Sequence, residues 1–495
     1  MNKYNKKRSK KAYPTSRQKF KNAACNNTMT FQECEMAILR QSIDENEELQ
    51  GQRIVNNEDV KKILKIVEEF IVNKKLICYG GTAINNILPK NAQFYNKETE
   101  LPDYDFFSPN AMDDCKELAD IYYKNGYTDV EAKAGVHVGT YKVFVNFIPI
   151  ADVTYLVPEI YNAIHKETII IAGIHYAPPN YLRMAMYLEL SRPAGDISRW
   201  EKVLSRLNLL NQYYPMNDTE CSHIDFQRNL DSNMDNAEQL YIVTRDTLIN
   251  QGVVFFGGYA FGLYSKYSNG KYKMDEVPDF DVLSEDPDRT AMIVKEQLMQ
   301  NNFKKVKIVK HKQIGELVPE RCEIMVGPET IAMIYKPIAC HSYNKIQINQ
   351  NEVNVATIDT ILSFYLVMIY LDVELNYNRL ICMAKFLFDI QAKNRLNQRG
   401  LLKRFSMTCY GKQLTLEDIR AEKALKYREF KEGKVKGDEY DMWFLKYNPG
   451  EKPVKAKHNK TRKNVKSLSS ESSPEPEKEP KKKTIFDILL AAKTH

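Results

Sequence analysis

Three stretches carry residues whose types and spacing could do chemistry. In "LPDYDFF" (101–107), Asp103 and Asp105 alternate with Tyr104 and Phe106, and a strand of period two sends both carboxylates to one face. Upstream, "YGGTAINN" (79–86) sets Gly80, Gly81 and Thr82 at the head of a short helical segment; downstream, "IADVTYL" (150–156) supplies Asp152 in an extended stretch. Carboxylates brought together repel one another and are tolerated when they share a proton or hold a cation. Three of them form an all-oxygen, strongly negative site. Such a site suits Mg²⁺ or Mn²⁺, which keep waters and take their remaining ligands from substrate phosphates. With two ions about 4 Å apart, one activates an attacking hydroxyl and the other stabilises a leaving pyrophosphate. The glycine pair clears side chains where a triphosphate must approach backbone N–H groups, the turn opens a helix N-terminus that favours anions, and Thr82 adds a hydroxyl.

The elements that must position these residues occur twice. "ICYGGTAINNILP" (77–89) precedes "LPDYDFFSPNA" (101–111), and "FFGGYAFGLYS" (255–265) precedes "VPDFDVLSEDP" (277–287) at nearly the same separation. A helical stripe, Val60, Ile63, Leu64, Val67, Phe70 and Ile71, leads into the first copy, and "EQLYIVTRDTLIN" (238–250) holds the same place in the second. Each copy therefore reads helix, strand, Gly-Gly turn, helix, acid-bearing strand. Ser108 with Pro109 predicts a helix start, and residues 139–156 read as β-rich. Aligning "PIADVTYL" with "PIACHSYN" puts Cys340 opposite Asp152. A thiol is a poor ligand for hard magnesium, so copy two, with Gly257, Gly258, Asp279 and Asp281, is expected to be catalytically silent. Between the copies, "DISRWEKVLSRLNLLNQYY" (196–214) is an amphipathic helix whose polar face carries Lys202 and Arg206.

A chain of 495 residues, 43% hydrophobic and 27% charged, has globular composition, and its length suits about two to four domains. The net charge of +7 is concentrated at the ends: residues 1–22 are basic without an acid, and "KAKHNKTRKNVK" follows from Lys455. Such blocks are solvated tails that also suit a polyanion. Nine scattered cysteines without CxxC spacing argue for a reducing compartment and against a zinc module. No signal peptide is recognised at the start. The apolar run "ILSFYLVMIYL" (361–371) is about half the ~20 residues of a membrane span and reads as a buried helix. The expected divisions are a basic tail 1–27, a catalytic unit 28–195, a helical connection 196–235, a degenerate unit 236–446 and a tail 447–495 ending in "TIFDILLAAK". The fold class is mixed α/β, of the α+β type.

The Gly-Gly turn, the hydrophobic-D-hydrophobic-D strand and the third Asp resemble the DNA polymerase β-like nucleotidyltransferases, although the gap from Gly81 to Asp103 is longer than most members show and recurs in copy two. One complete unit, one degenerate unit and basic flanks are similar to the poly(A) polymerase catalytic subunits of poxviruses and giant cytoplasmic DNA viruses, over about residues 30–400 and closest to the giant-virus form. That resemblance implies a template-independent transfer of AMP from ATP to an RNA 3′ end, with two Mg²⁺ or Mn²⁺ ions. It makes Asp103, Asp105 and Asp152 metal ligands, with Asp152 also orienting or deprotonating the 3′-hydroxyl, and gives the nucleotide phosphates to Gly80, Gly81 and Thr82. It further implies host cytoplasm or virion as location and a viral processivity partner, in place of which the tails and the second unit could support a homodimer; no membrane is expected. Two other readings stay open: another terminal nucleotidyltransferase (uridylyl, CCA-adding or oligoadenylate type), and a non-catalytic RNA-binding scaffold.

Overall fold

The computed structural model describes residues 23–26, 28–216, 221, 236–268, 279–371 and 377–450. Both basic tails and "TIFDILLAAK" lie outside them. The chain divides into two compact units, residues 1–64 with 95–102 and residues 65–94 with 103–495. In the first, α1 (Phe31–Val55) opens on a capping box in which the Thr30 hydroxyl and the Glu33 carboxylate satisfy each other's backbone N–H groups.

The second unit holds two eight-stranded sheets. Helix α2 (Glu58–Lys74) runs from the first unit into the second. There the chain continues through β1 (Ile77–Cys78), α3 (Gly80–Ile87), β2 (Tyr104–Ser108), α4 (Ala111–Lys124), β3 (Val130–Ala134), β4 (Thr140–Val145), β5 (Ile148–Tyr155), α5 (Pro158–Lys166), β6 (Ile169–Ile171), β7 (Ile174–Tyr176), α6 (Pro179–Leu190) and α7 (Trp200–Tyr213). The second round is α8 (Ala237–Asn250), β8 (Val254–Phe255), α9 (Gly258–Ser265), β9 (Phe280–Leu283), α10 (Pro287–Gln300), β10 (Val306–His311), β11 (Arg321–Val326), β12 (Glu329–Tyr335), β13 (His341–Ile348), β14 (Asn351–Ala356), α11 (Ile358–Met368) and α12 (Tyr377–Lys393). β15 (Cys409–Tyr410), α13 (Leu416–Gly433), α14 (Asp438–Phe444) and β16 (Lys446–Tyr447) complete it.

The sheets have one topology. The first runs β16-β3-β4-β5-β2-β1-β7-β6 and the second β10-β11-β12-β9-β8-β14-β13-β15. In both, the acid strand lies antiparallel to the short strand before the glycines and parallel to the long strand on its other side. The repeat seen in two motifs thus extends to seven strands and to the helices that follow them.

Alternation explains the layering. In β4, Tyr141, Val143 and Val145 are buried while Lys142 and Phe144 are only half-buried. The β4–β5 hairpin closes on Asn146 and Phe147, both at positive φ (50° and 66°), the two-residue turn whose twist matches antiparallel strands. Ser108 accepts the Asn110 N–H at 2.8 Å and donates to Asp114, which fixes the start of α4. The copies meet around α6 and α11: Tyr181 of α6 packs edge-on against Tyr370, just past α11, ring centroids 5.8 Å apart, and the Ser342 N–H of β13 donates to the carbonyl of Ser191, just past α6.

Two expectations need correction. Asp152's counterpart by register is Met333, not Cys340: Asp105 lies beside Asp152 as Asp281 lies beside Met333. The "PIA" strings coincide only as letters, because Pro149–Ala151 lie within β5 whereas Pro337–Ala339 lie in the link from β12 to β13. The cysteines also do not all stay free. Cys25–Cys34, Cys221–Cys382 and Cys340–Cys409 are disulfides, while Cys78, Cys115 and Cys322 are buried thiols. Pairs 69 and 161 residues apart leave no trace in local spacing, and they weaken the argument for a reducing compartment.

Candidate active site

Strands β2 and β5 run parallel with Asp105 directly beside Asp152, so both carboxylates project from one face. Asp103 stands just before β2, exposed, with Asp105 and Asp152 half-buried. The Asp103 carbonyl accepts from the buried Thr82 hydroxyl at 2.7 Å, which ties the glycine helix to the acid strand. Thr82 therefore braces the turn, and its hydroxyl would have to leave that bond to reach a phosphate. Among the described residues no three His, Cys, Asp or Glu side chains gather closely enough to cage a metal ion. In place of such a cage, the Lys142 ammonium of β4 donates to Asp152.

The glycine turn explains why only glycine fits there. Gly80 has φ +74°, and a Cβ on it would lie 2.8 Å from Asp105 Oδ2. The Tyr79 N–H donates to the Asp105 carbonyl at 2.9 Å, fastening the turn to β2. The turn then opens α3, whose first N–H groups have no intrahelical partners and whose dipole favours anions.

Around the acids the sequence reading missed Lys142, Tyr79, Thr140 and Thr154. Tyr79 stacks flat on Phe107, centroids 3.8 Å apart, and its hydroxyl pairs with that of Thr154 at 2.9 Å, which in turn meets Thr140 at 3.1 Å. Burial, then the negative charge of Asp105, Asp152 and Asp103, pushes the Tyr79 phenol well above its ordinary pKa, so it stays protonated. The available signal for Lys142 was its alternation with Tyr141 and Val143, which turns it to the polar face; that Asp152 lies opposite depends on the hairpin register.

Copy two keeps the bond that fastens the turn, from the Phe256 N–H to the Asp281 carbonyl at 2.9 Å, but its acids are buried. Asp279 and Asp281 are 1% and 6% exposed. A Cβ on Gly257 would lie 2.2 Å from Asp281 Oδ2, and one on Gly258 would lie 2.3 Å from Asp279 Oδ1. The carboxylates thus fill the space over the glycines. Phe256, at the position of Tyr79, stacks on Phe364, and its carbonyl accepts from Tyr365.

Residues 65–196 match the family of poly(A) polymerase catalytic subunits. A protein of African swine fever virus (strain Badajoz 1971 Vero-adapted), named "Putative poly(A) polymerase catalytic subunit", is 38% identical over 170 residues, covering 33% of this chain and 35% of the relative. One of the same name from Acanthamoeba polyphaga mimivirus is 30% identical over 222 residues, 42% of this chain and 36% of the relative. The matched stretches thus span about a third of these curated relatives. The fold matches the crystal structure of the Megavirus polyadenylate synthase with a TM-score of 0.70, over 87% of this chain and 88% of that one at 21% identity.

Proposed function

From a first lobe of the poly(A) polymerase catalytic subunit family, we propose that this protein adds AMP from ATP to RNA 3′ ends without a template, releasing pyrophosphate. The observation that carries the reading is the pairing of Asp105 with Asp152 on adjacent parallel strands, beside a glycine turn that opens a helix. At the site of the second copy, Met333 breaks the same pair.

The donor atoms are of the type that hard divalent cations take. All are oxygen, and Asp152 already binds a cation in the form of the Lys142 ammonium. Asp103, Asp105 and Asp152 would hold Mg²⁺ or Mn²⁺, which when bound would neutralise phosphate charge and lower the barrier to hydroxyl attack on the α-phosphate. The chain's own groups do the rest. Gly80 and Gly81 let the triphosphate approach the free N–H groups of α3. Asp152 sits where it can orient the RNA 3′-hydroxyl or accept its proton. Thr82 keeps the glycine helix locked to Asp103.

The viral origin of the relatives supports host cytoplasm or virion as location. A homodimer or a viral processivity subunit remains part of the reading. The second copy, whose buried Asp279 and Asp281 fill the space over its glycines, is assigned a structural role beside the catalytic lobe. The test is extension of a labelled RNA with each of the four nucleoside triphosphates, with and without Mg²⁺, comparing wild type with Asp103→Ala. ATP-dependent elongation lost in the variant supports the reading. Extension chiefly with UTP or CTP turns it to another terminal transferase, and no extension with any triphosphate leaves the scaffold.

A further inference from the structure

The face that carries Asp105 and Asp152 also carries a row of lysines. Lys446 of β16 is in register with Lys133 of β3, Lys133 with Lys142 of β4, Lys142 with Asp152, and Asp152 with Asp105. Register partners on neighbouring strands share a face about 4.8 Å apart. Three ammonium groups therefore lead from the sheet edge to the acids, a path of roughly 15 Å. Their side chains reach water: Lys142 is 35% and Lys133 41% exposed, and Lys446 is exposed. Glu131 meets Lys133 at 2.9 Å, and the Lys133 ammonium lies over the Phe144 ring at 4.0 Å.

The fold gains little from such a row. Like charges directly opposite on adjacent strands are destabilising. Lysines can guard an open sheet edge, but β3 is covered by β16 and β4 is internal. The second sheet shows that the topology does not need them. The positions matching Lys133, Lys142, Asp152 and Asp105 hold Val309, Glu323, Met333 and Asp281.

We infer that the row is a track for the phosphodiester backbone of the RNA primer, delivering its 3′ end to Asp152 from the β16 edge. The inference rests on the adenylyltransferase reading and gives its two polyanions separate approaches. The triphosphate comes to Gly80 and α3 on the β1 side of the acid pair, and the primer comes across β16, β3 and β4 on the other side. Phe144 on the same face offers a ring for base stacking.

The test is the full-length double variant Lys133→Met/Lys446→Met, assayed by fluorescence anisotropy on labelled oligoadenylate over a salt series, without ATP. Removing two phosphate contacts weakens RNA binding about tenfold and flattens the slope of log Kd against log salt by about 1.4, at about 0.7 per contact on a single strand. The KM for ATP at saturating RNA stays unchanged, Lys133→Arg/Lys446→Arg retains binding, and a urea midpoint equal to wild type shows the variant is folded. Lys304→Met/Lys305→Met, two exposed lysines of the second lobe, serves as the control for general charge loss. RNA affinity unchanged in the Met variant, or lowered as much in the control, overturns the track. Wild type that extends no RNA overturns the adenylyltransferase reading itself.

Discussion

The two sheets share strand order, strand direction and the Gly-Gly turn, yet one row of side chains separates them: Lys133, Lys142, Asp152 and Asp105 in the first, Val309, Glu323, Met333 and Asp281 in the second. In the first, Asp103 is exposed, Asp105 and Asp152 are half-buried, and a lysine balances Asp152. In the second, Asp279 and Asp281 are drawn into the space over Gly257 and Gly258, and aromatic rings from α11 close the turn. The difference teaches that this topology tolerates both an exposed charged face and a closed aromatic one. A site is thus a choice of residues on one face of the sheet.

The largest test of that contrast is removal of equivalent acids. Asp152→Ala is expected to cut single-turnover AMP incorporation at least about a thousandfold, since the cation-binding group it removes is worth several kcal/mol in the transition state. Asp281→Ala should leave incorporation largely intact and instead lower stability by about 1–3 kcal/mol, because it strips a buried carboxylate from its partners, a loss read from urea midpoints. Equal losses of activity from both would abolish the distinction between the copies.

Rebuilding the missing acid probes the same row from the other side. Met333→Asp would set a carboxylate between Glu323 and Asp281 without the lysine that serves Asp152. Like charge and partial burial raise its pKa above the unfolded value of about 3.9. An acid whose folded pKa is raised is tolerated in its protonated form. The variant's stability deficit is therefore small below about pH 4 and grows as pH rises through the raised value, reaching about 2–3 kcal/mol for a shift of two units. Urea titrations at pH 4 and pH 8 read this directly, and no RNA-extending activity should appear when Met333→Asp is placed in an Asp152→Ala background. A deficit larger at pH 4 would reverse the sign of the argument.

The glycines separate by mechanism. Gly80→Ala meets a backbone at φ +74° and an Asp105 oxygen at 2.8 Å, and the left-handed conformation costs about 1–2 kcal/mol in any L-residue. Gly257 has φ −81°, so its alanine suffers only the Asp281 side chain, 2.2 Å away, at about 1–3 kcal/mol. Because Asp281 Cβ itself lies 2.5 Å from the added methyl, Asp281→Gly rather than Asp281→Ala should rescue Gly257→Ala, whereas Asp105→Ala should leave most of the Gly80→Ala loss in place. Seven urea midpoints, the wild type and three variants for each pair, complete the two double-mutant cycles.

Much of this architecture is legible in the chain because its signals are local. The stripe from Val60 to Ile71, the Gly-Gly turns and the alternation around Asp103 and Asp105 each lie within a few residues and report helix, turn and strand through periods of 3.6 and 2. What escapes is whatever depends on register between distant strands. Lys133, Lys142 and Lys446 align only once β3, β4 and β16 are hydrogen-bonded. Met333 was hidden by a three-letter match seven positions on, since letters carry no register. The disulfides of Cys340 and Cys221 likewise join segments that sequence keeps far apart. The closure of the second copy over Asp279 and Asp281 follows from Phe364 and Tyr365 of α11, a helix legible as buried without any sign of what it covers.

The smallest expected effect converts one feature of the first copy into its counterpart. Tyr79→Phe installs the residue that the second copy carries as Phe256. The flat stacking on Phe107, centroids 3.8 Å apart, survives, because it uses the ring alone. The bond to Thr154 at 2.9 Å is lost, though Thr154 still meets Thr140 at 3.1 Å, so no hydroxyl is stranded. The cost is one hydrogen bond, about 1 kcal/mol, and it falls on the turn beside Asp105. Stability should drop by about that amount, with extension rates lowered less than about fivefold. A loss as large as that of Asp152→Ala would instead place the Tyr79 hydroxyl among the groups that act on the substrate, and would make this tyrosine a catalytic difference between the two copies.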